Sequence, residues 1–89
     1  MIEKQLVIKN KVGLHARPAA LFVQTANKFK CTLKLALGGQ EINAKSILSL
    51  LKLGANQGAV VTLRAEGEDE AQAVVTLEAL VESNFGEPE

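Results

Sequence analysis

Thr32-Leu33-Lys34-Leu35-Ala36-Leu37-Gly38-Gly39-Gln40-Glu41-Ile42-Asn43-Ala44 alternates leucine with other residues and then turns back on itself. Leu33, Leu35 and Leu37 fall on one face of an extended chain, the period of a half-buried strand. Gly38-Gly39 suits a two-residue hairpin turn, because both residues tolerate positive φ. Glu41 to Ala44 is then the short return strand. An antiparallel hairpin with one apolar face needs a second layer to cover that face.

The flanking sequence supplies the layer. Toward the N-terminus, Ala19, Phe22, Val23 and Ala26 repeat at helical spacing. The helix opens near Ala16, with Pro18 in its first turn, where a missing N–H is harmless. Asn10 to Leu14 contains Gly13 and reads as a loop. Ile2 to Ile8 reads as a strand, with Ile2, Leu6 and Ile8 on one face and Lys4 at the edge of it. Toward the C-terminus, Ser46 N-caps a short helix from Ile47 to Leu53, stopped by Gly54. Gly58 begins a turn. Val61, Leu63 and Ala65 alternate with Thr62, Arg64 and Glu66 in a further strand. Asp69 and Gln72 have capping-box spacing. Ala73, Leu77, Leu80 and Val81 mark a last helix ending near Asn84, and the tail from Gly86 to Glu89 is expected to fray. The order β-α-β-β-α-β-α predicts an α+β two-layer sandwich, with helices over one face of a mostly antiparallel sheet. Element order alone leaves the strand order open.

With 89 residues there is room for a single domain, 1–89. The chain has no Trp or Tyr and three Phe, so its core is aliphatic. Ten basic residues balance ten acidic ones, which argues against bulk binding to nucleic acid or an anionic membrane. The N-terminal segment lacks the pattern of a signal peptide, and no apolar run approaches a membrane span. One cysteine forms no internal disulfide. These features predict a soluble cytoplasmic protein.

The single histidine lies at the mouth of the first helix. A helix N-terminus presents N–H groups and about half a positive charge, a natural seat for phosphate. Arg17 adds a planar, permanent cation beside the ring. An imidazole that attacks a phosphoryl donor needs a free nitrogen, donors for the phosphoryl oxygens and a cation. Read alone, a histidine near a helix start is more often an ordinary surface residue. One His and one distant Cys do not make a metal site, and no cofactor-binding signature is present. A His-assisted Cys31 nucleophile lacks any reason for a lowered pKa; a small buried or edge cysteine is the better reading.

Gly13-Leu14-His15-Ala16-Arg17-Pro18-Ala19-Ala20 resembles the active-site signature of the HPr family, the phosphocarriers of the bacterial phosphoenolpyruvate-dependent sugar phosphotransferase system. Ala44-Lys45-Ser46-Ile47 with Leu53-Gly54, and Gly67-Glu68-Asp69-Glu70, resemble further family signatures in family order. The resemblance covers nearly the whole chain. It implies an open-faced β-sandwich, a four-stranded antiparallel sheet in order 1-4-2-3 with three helices on one face. It implies a monomeric carrier, not an enzyme in its own right, phosphorylated by Enzyme I on Nδ1 of His15 and discharged to enzyme IIA domains. Arg17 would be the phosphate-side cation, and the backbone N–H groups of Ala16 and Arg17 would hold phosphoryl oxygens. Ser46 matches the serine that an HPr kinase/phosphorylase modifies, which would add that kinase and a transcriptional regulator as partners. Ser49 departs from the glycine of many kinase-regulated members. Without the resemblance, Ser46 is simply an N-cap.

The second helix carries more apolar residues than it can bury. Leu50 and Leu53 share the core side. Ile47, Leu48 and Leu51 would form an exposed patch near the His15 end, ringed by Lys45, Lys52 and Arg17. Such a patch suits brief docking of acidic partners. Two other functions fit the residues: a nitrogen-related regulatory paralogue that uses the same histidine, and an α+β interaction module without chemistry. His15 argues against the catabolite-repression paralogue, which lacks the histidine.

Overall fold

Leu33 and Leu35 of the hairpin stand opposite Ala65 and Leu63 of a strand that comes later in the chain, and all four side chains are buried. The sheet therefore grows out of chain order. In the computed structural model, which describes residues 1–11 and 13–86, the elements are β1 (Ile2–Val7), α1 (Ala16–Ala26), β2 (Thr32–Leu37), β3 (Gln40–Asn43), α2 (Ile47–Leu53), β4 (Val60–Glu66) and α3 (Glu70–Glu82). A short 3-10 turn, Asn84–Gly86, follows. The expected order of elements is observed. The four strands lie β1-β4-β2-β3, every neighbouring pair antiparallel, with the three helices over one face.

β1 and β2 are each antiparallel to β4, so they run parallel to one another, and α1 is the crossover that such a pair requires. By the same logic β3 and β4 are parallel, with α2 as their crossover. The inner layer is aliphatic: Leu6, Ile8, Leu33, Leu35, Val61 and Leu63 of the sheet side meet Phe22, Leu50, Leu77 and Val81 of the helices. Lys4 lies on the inner side of β1 but reaches the edge, where it pairs with Glu78 of α3 at 3.4 Å. On the outer face Arg64 pairs with Glu3 at 2.7 Å and with Glu41, spanning β1, β4 and β3. Only Gly38 of the hairpin glycines takes positive φ, +62°.

Several local expectations change. Asp69 is the N-cap of α3, but it makes no side-chain cap bond. Its carboxylate instead accepts the backbone N–H groups of Lys30 and Cys31, each at 2.9 Å. The capping-box reading of Asp69 and Gln72 thus gives way to a tie between the start of α3 and the α1–β2 junction. Glu70 takes up the local role by accepting the Gly67 N–H at 3.0 Å. Val74 joins the α3 stripe, while Leu80 is only partly buried. Phe85 is 3% exposed despite φ of +57°, so the chain stays anchored past α3. Of the tail expected to fray, Gly86 belongs to the 3-10 turn, and residues 87–89 lie outside the described residues, as does Val12 of the β1–α1 loop.

The Asp69 tie makes a signed prediction. The Lys30 N–H first, and then Cys31, hold the Asp69 carboxyl below its ordinary value of 3.8. Its stabilisation is complete above the unfolded-state value and disappears as pH falls through the lower folded-state value. Thermal melts should show wild-type stability falling in acid below about pH 4. Asp69→Asn should melt lower at neutral pH and show a shallower acid dependence. Equal acid slopes in the two proteins would show that the tie contributes nothing.

Candidate functional site

The β1–α1 loop begins where Ile8 continues β1 without being part of its ladder. The Ile8 N–H donates to Ala59 O at 2.9 Å, and Ile8 O accepts the Gly58 N–H at 2.7 Å. Further on, the Leu14 N–H donates to Ala55 O at 2.9 Å. Gly13 lies against this second strap with φ of +67°. A Cβ there would fall 2.3 Å from Ala55 O and 2.7 Å from Asn56 Cα, so only glycine fits. Leu14 is buried, and the chain emerges at His15.

His15 is the N-cap of α1, at φ −87° and ψ −171°, and its side chain makes no cap hydrogen bond. The backbone caps instead: Ala19 N–H donates to His15 O at 3.0 Å, and His15 N–H donates to Gly13 O at 3.0 Å. The imidazole is half-buried; Ala16 and Arg17 are exposed. The first turn of α1 contains no acidic residue. N–H groups at a helix start lie outside the helix's own ladder, so those of Ala16 and Arg17 belong to the anion-attracting end. His15, Ala16 and Arg17 are therefore brought together on one helix start.

Ser46 N-caps α2: its Oγ accepts the Ser49 N–H at 3.3 Å. Gly54 ends the helix at φ +69°. α2 has seven residues, about 10 Å of rise. Ser46 therefore sits one helix length away from Ala55, the residue strapped to the His15 loop. Leu50 and Leu53 are buried, whereas Ile47, Leu48 and Leu51 are 40%, 64% and 40% exposed. Lys52 is exposed on this helix. Lys45, expected in the ring of cations, instead donates its ammonium to the Phe29 carbonyl at 2.7 Å.

Cys31 is buried, and burial first, then the Asp69 carboxylate, push its thiol up from 9.0. It remains protonated and away from the His15 loop. Among the described residues no cluster of His, Cys, Asp and Glu could hold a metal ion, and no helix is long and apolar enough to cross a membrane. A recess of about 410 Å³ lies between β2 and β3, lined by Lys30, Lys34, Lys45 and Glu41 among others, and does not include His15. The His15 site is an open helix end, a form suited to a protein partner rather than an enclosed substrate. Sequence reading passed over one residue of this loop, Asn10, which is 2% exposed. An Asn three residues before a Gly is a turn signal that could have identified it.

Residues 2–83 match the family model described as "PTS HPr component phosphorylation site". The chain is 46% identical over 87 residues to the phosphocarrier protein HPr of Xylella fastidiosa (strain 9a5c), covering 98% of each. It is 48% identical over 82 residues to the HPr-like protein Crh of Halalkalibacterium halodurans, covering 92% of this chain and 98% of that one. The crystal structure of HPr-C-His from Thermoanaerobacter tengcongensis matches with a TM-score of 0.96 and 53% identity, each chain covered in full.

The facing of α2 is testable by truncation. Leu50→Ala should destabilise by about 2–5 kcal/mol, as large buried aliphatics do. Leu48→Ala should stay within about 0.5 kcal/mol of wild type, as an exposed position does. Denaturant unfolding of both proteins measures the difference, and equal losses would mean the helix is turned the other way.

Proposed function

This chain belongs to the HPr family of phosphocarriers, and we propose that within the phosphotransferase system it takes a phosphoryl group from Enzyme I onto His15 and passes it to enzyme IIA domains. The observation that carries this reading is His15 itself, at the N-cap of α1 with its backbone, not its ring, doing the capping. The ring nitrogen Nδ1 forms the new N–P bond as the bond from phosphorus to the donor breaks. The N–H groups of Ala16 and Arg17 receive phosphoryl oxygens, and the Arg17 guanidinium offsets their charge. A carrier must release what it accepts. A helix end favours nearby negative charge by only about 0.3–1 kcal/mol, so the group is steadied without being trapped.

Ile47, Leu48 and Leu51 offer partners an apolar footing beside the cations Arg17 and Lys52. A footing this small fits an encounter that must end quickly. The carrier works as a cytoplasmic monomer. Phosphate on Ser46, added by an HPr kinase/phosphorylase, would put a charge of about −1.5 to −2 next to the patch. The helix start tolerates that charge, while acidic partners are repelled by it. The same modified face could present a signal to a transcriptional regulator. The similarity to Crh does not displace the carrier reading, because the relay needs a histidine and His15 is present.

Incubation with Enzyme I and phosphoenolpyruvate tests the relay. Wild type should acquire one acid-labile phosphate, and His15→Ala should fold but acquire none. Label that persists in the mutant would move the acceptor elsewhere; no label on wild type would leave an interaction module without chemistry. Arg17→Glu should slow transfer strongly while stability changes by no more than about 0.5 kcal/mol. Equal loss of both would make Arg17 structural.

Ser46→Asp should raise the KM for Enzyme I at low salt, with the effect shrinking as salt screens the charge. Transfer that is unchanged at low salt would remove the electrostatic account of regulation.

A further inference from the structure

Asn10 is the one buried polar residue among the described residues, 2% exposed in a loop whose neighbours Lys9 and Lys11 face solvent. Its Nδ2 donates to Gly13 O at 2.6 Å. Its own backbone O accepts the Gly13 N–H at 3.1 Å. Asn10 therefore grips the Gly13 residue on both its N–H and its C=O. The orientation of the amide follows from the chemistry, since two carbonyl oxygens at that separation would repel. The other amide atom, Oδ1, is buried without a hydrogen-bond partner among the described residues. Burial of an unpaired polar atom is unfavourable, so the bond made by Nδ2 is what this side chain contributes.

The Gly13 carbonyl accepts a second donor, the His15 N–H at 3.0 Å. Both of its lone pairs are in use, one toward Asn10 and one toward the phosphoacceptor residue. The Leu14 N–H is held separately by Ala55. The backbone leading into His15 is thus fixed from two sides. On the carrier reading of His15, we propose that Asn10 is a positioning residue for phosphoryl transfer, its side-chain amide fixing the Gly13 carbonyl from which His15 is hung. Group transfer is sensitive to such placement: an ångström of misplacement can lower a rate by about 100-fold.

Two variants separate the donor from the volume. Asn10→Ala removes the side chain, and Asn10→Asp keeps its shape but replaces the Nδ2 donor with an acceptor. With Enzyme I as donor, both should lower kcat by roughly tenfold, a fraction of the full misplacement loss. The KM should stay within about twofold, because the docking patch is untouched. By NMR, the amides of Gly13 and His15 should shift or broaden in both variants, while those of β4 and α3 keep their positions. In wild type, the Asn10 side-chain amide protons should exchange slowly with solvent. Wild-type kcat in either folded variant would overturn the proposal, and so would broadening that spreads through α3. Rapid exchange of the wild-type Asn10 amide would overturn it without any variant having to fold. If wild type accepts no phosphoryl group, it is the carrier reading that fails. The NMR response of His15 then still decides whether Asn10 positions it.

Discussion

Every backbone hydrogen bond that joins the two halves of the sheet runs through β4. β1 pairs with one of its edges and β2 with the other. Residues 60–66 must therefore return between two strands that lie far earlier in the chain before the sheet can close. That topology weights the fold toward non-local contacts, which form late and slowly. Its geometry also explains the single helical layer. The path from β1 to β2 moves two places across the sheet, and the path from β3 to β4 moves two places back with the strands reversed. A half-turn about the sheet normal relates the two paths. Crossovers of the same right hand consequently put α1 and α2 on the same face.

The His15 loop inherits its rigidity from this arrangement. The end of β1 is joined to the entry of β4 by the Ile8 bonds to Ala59 and Gly58, and the exit of α2 is joined to Leu14 through Ala55. The start of α1 at His15 and the exit of α2 are thus held by one loop pair, Ile8 and Leu14 against Ala55, Gly58 and Ala59. In the function proposed above, chemistry and docking fall to separate residues on this shared support. A change confined to Leu48 and a change confined to the loop can then act on different steps.

Periodicity made the elements legible. The leucines of β2, the stripe of α1, the alternation of β4 and the surplus of apolar residues on α2 each declare a face from residues close in sequence. The helix-mouth position of His15 followed from the Pro18 signal and the stripe of Ala19, Phe22, Val23 and Ala26 behind it. Strand order did not follow from periodicity; it came from the family resemblance, because pairing depends on residues that no local pattern connects. The same limit explains Asp69, whose partners Lys30 and Cys31 lie 39 and 38 residues away. Asn10 was hidden because polarity usually marks exposure, whereas here the amide is turned inward by a bond to its own loop. Phe85 was hidden because it occupies a left-handed turn that an aromatic residue rarely adopts.

Cys31 gives the molecule an internal clock. Its sulfur is shut in at the junction where the start of α3 is tied to the start of β2. A thiol reagent cannot reach it without that junction opening, and the protonated thiol is itself a poor nucleophile until exposed. The rate of alkylation in native buffer therefore counts openings of one seam of the sandwich, not fraying at its ends.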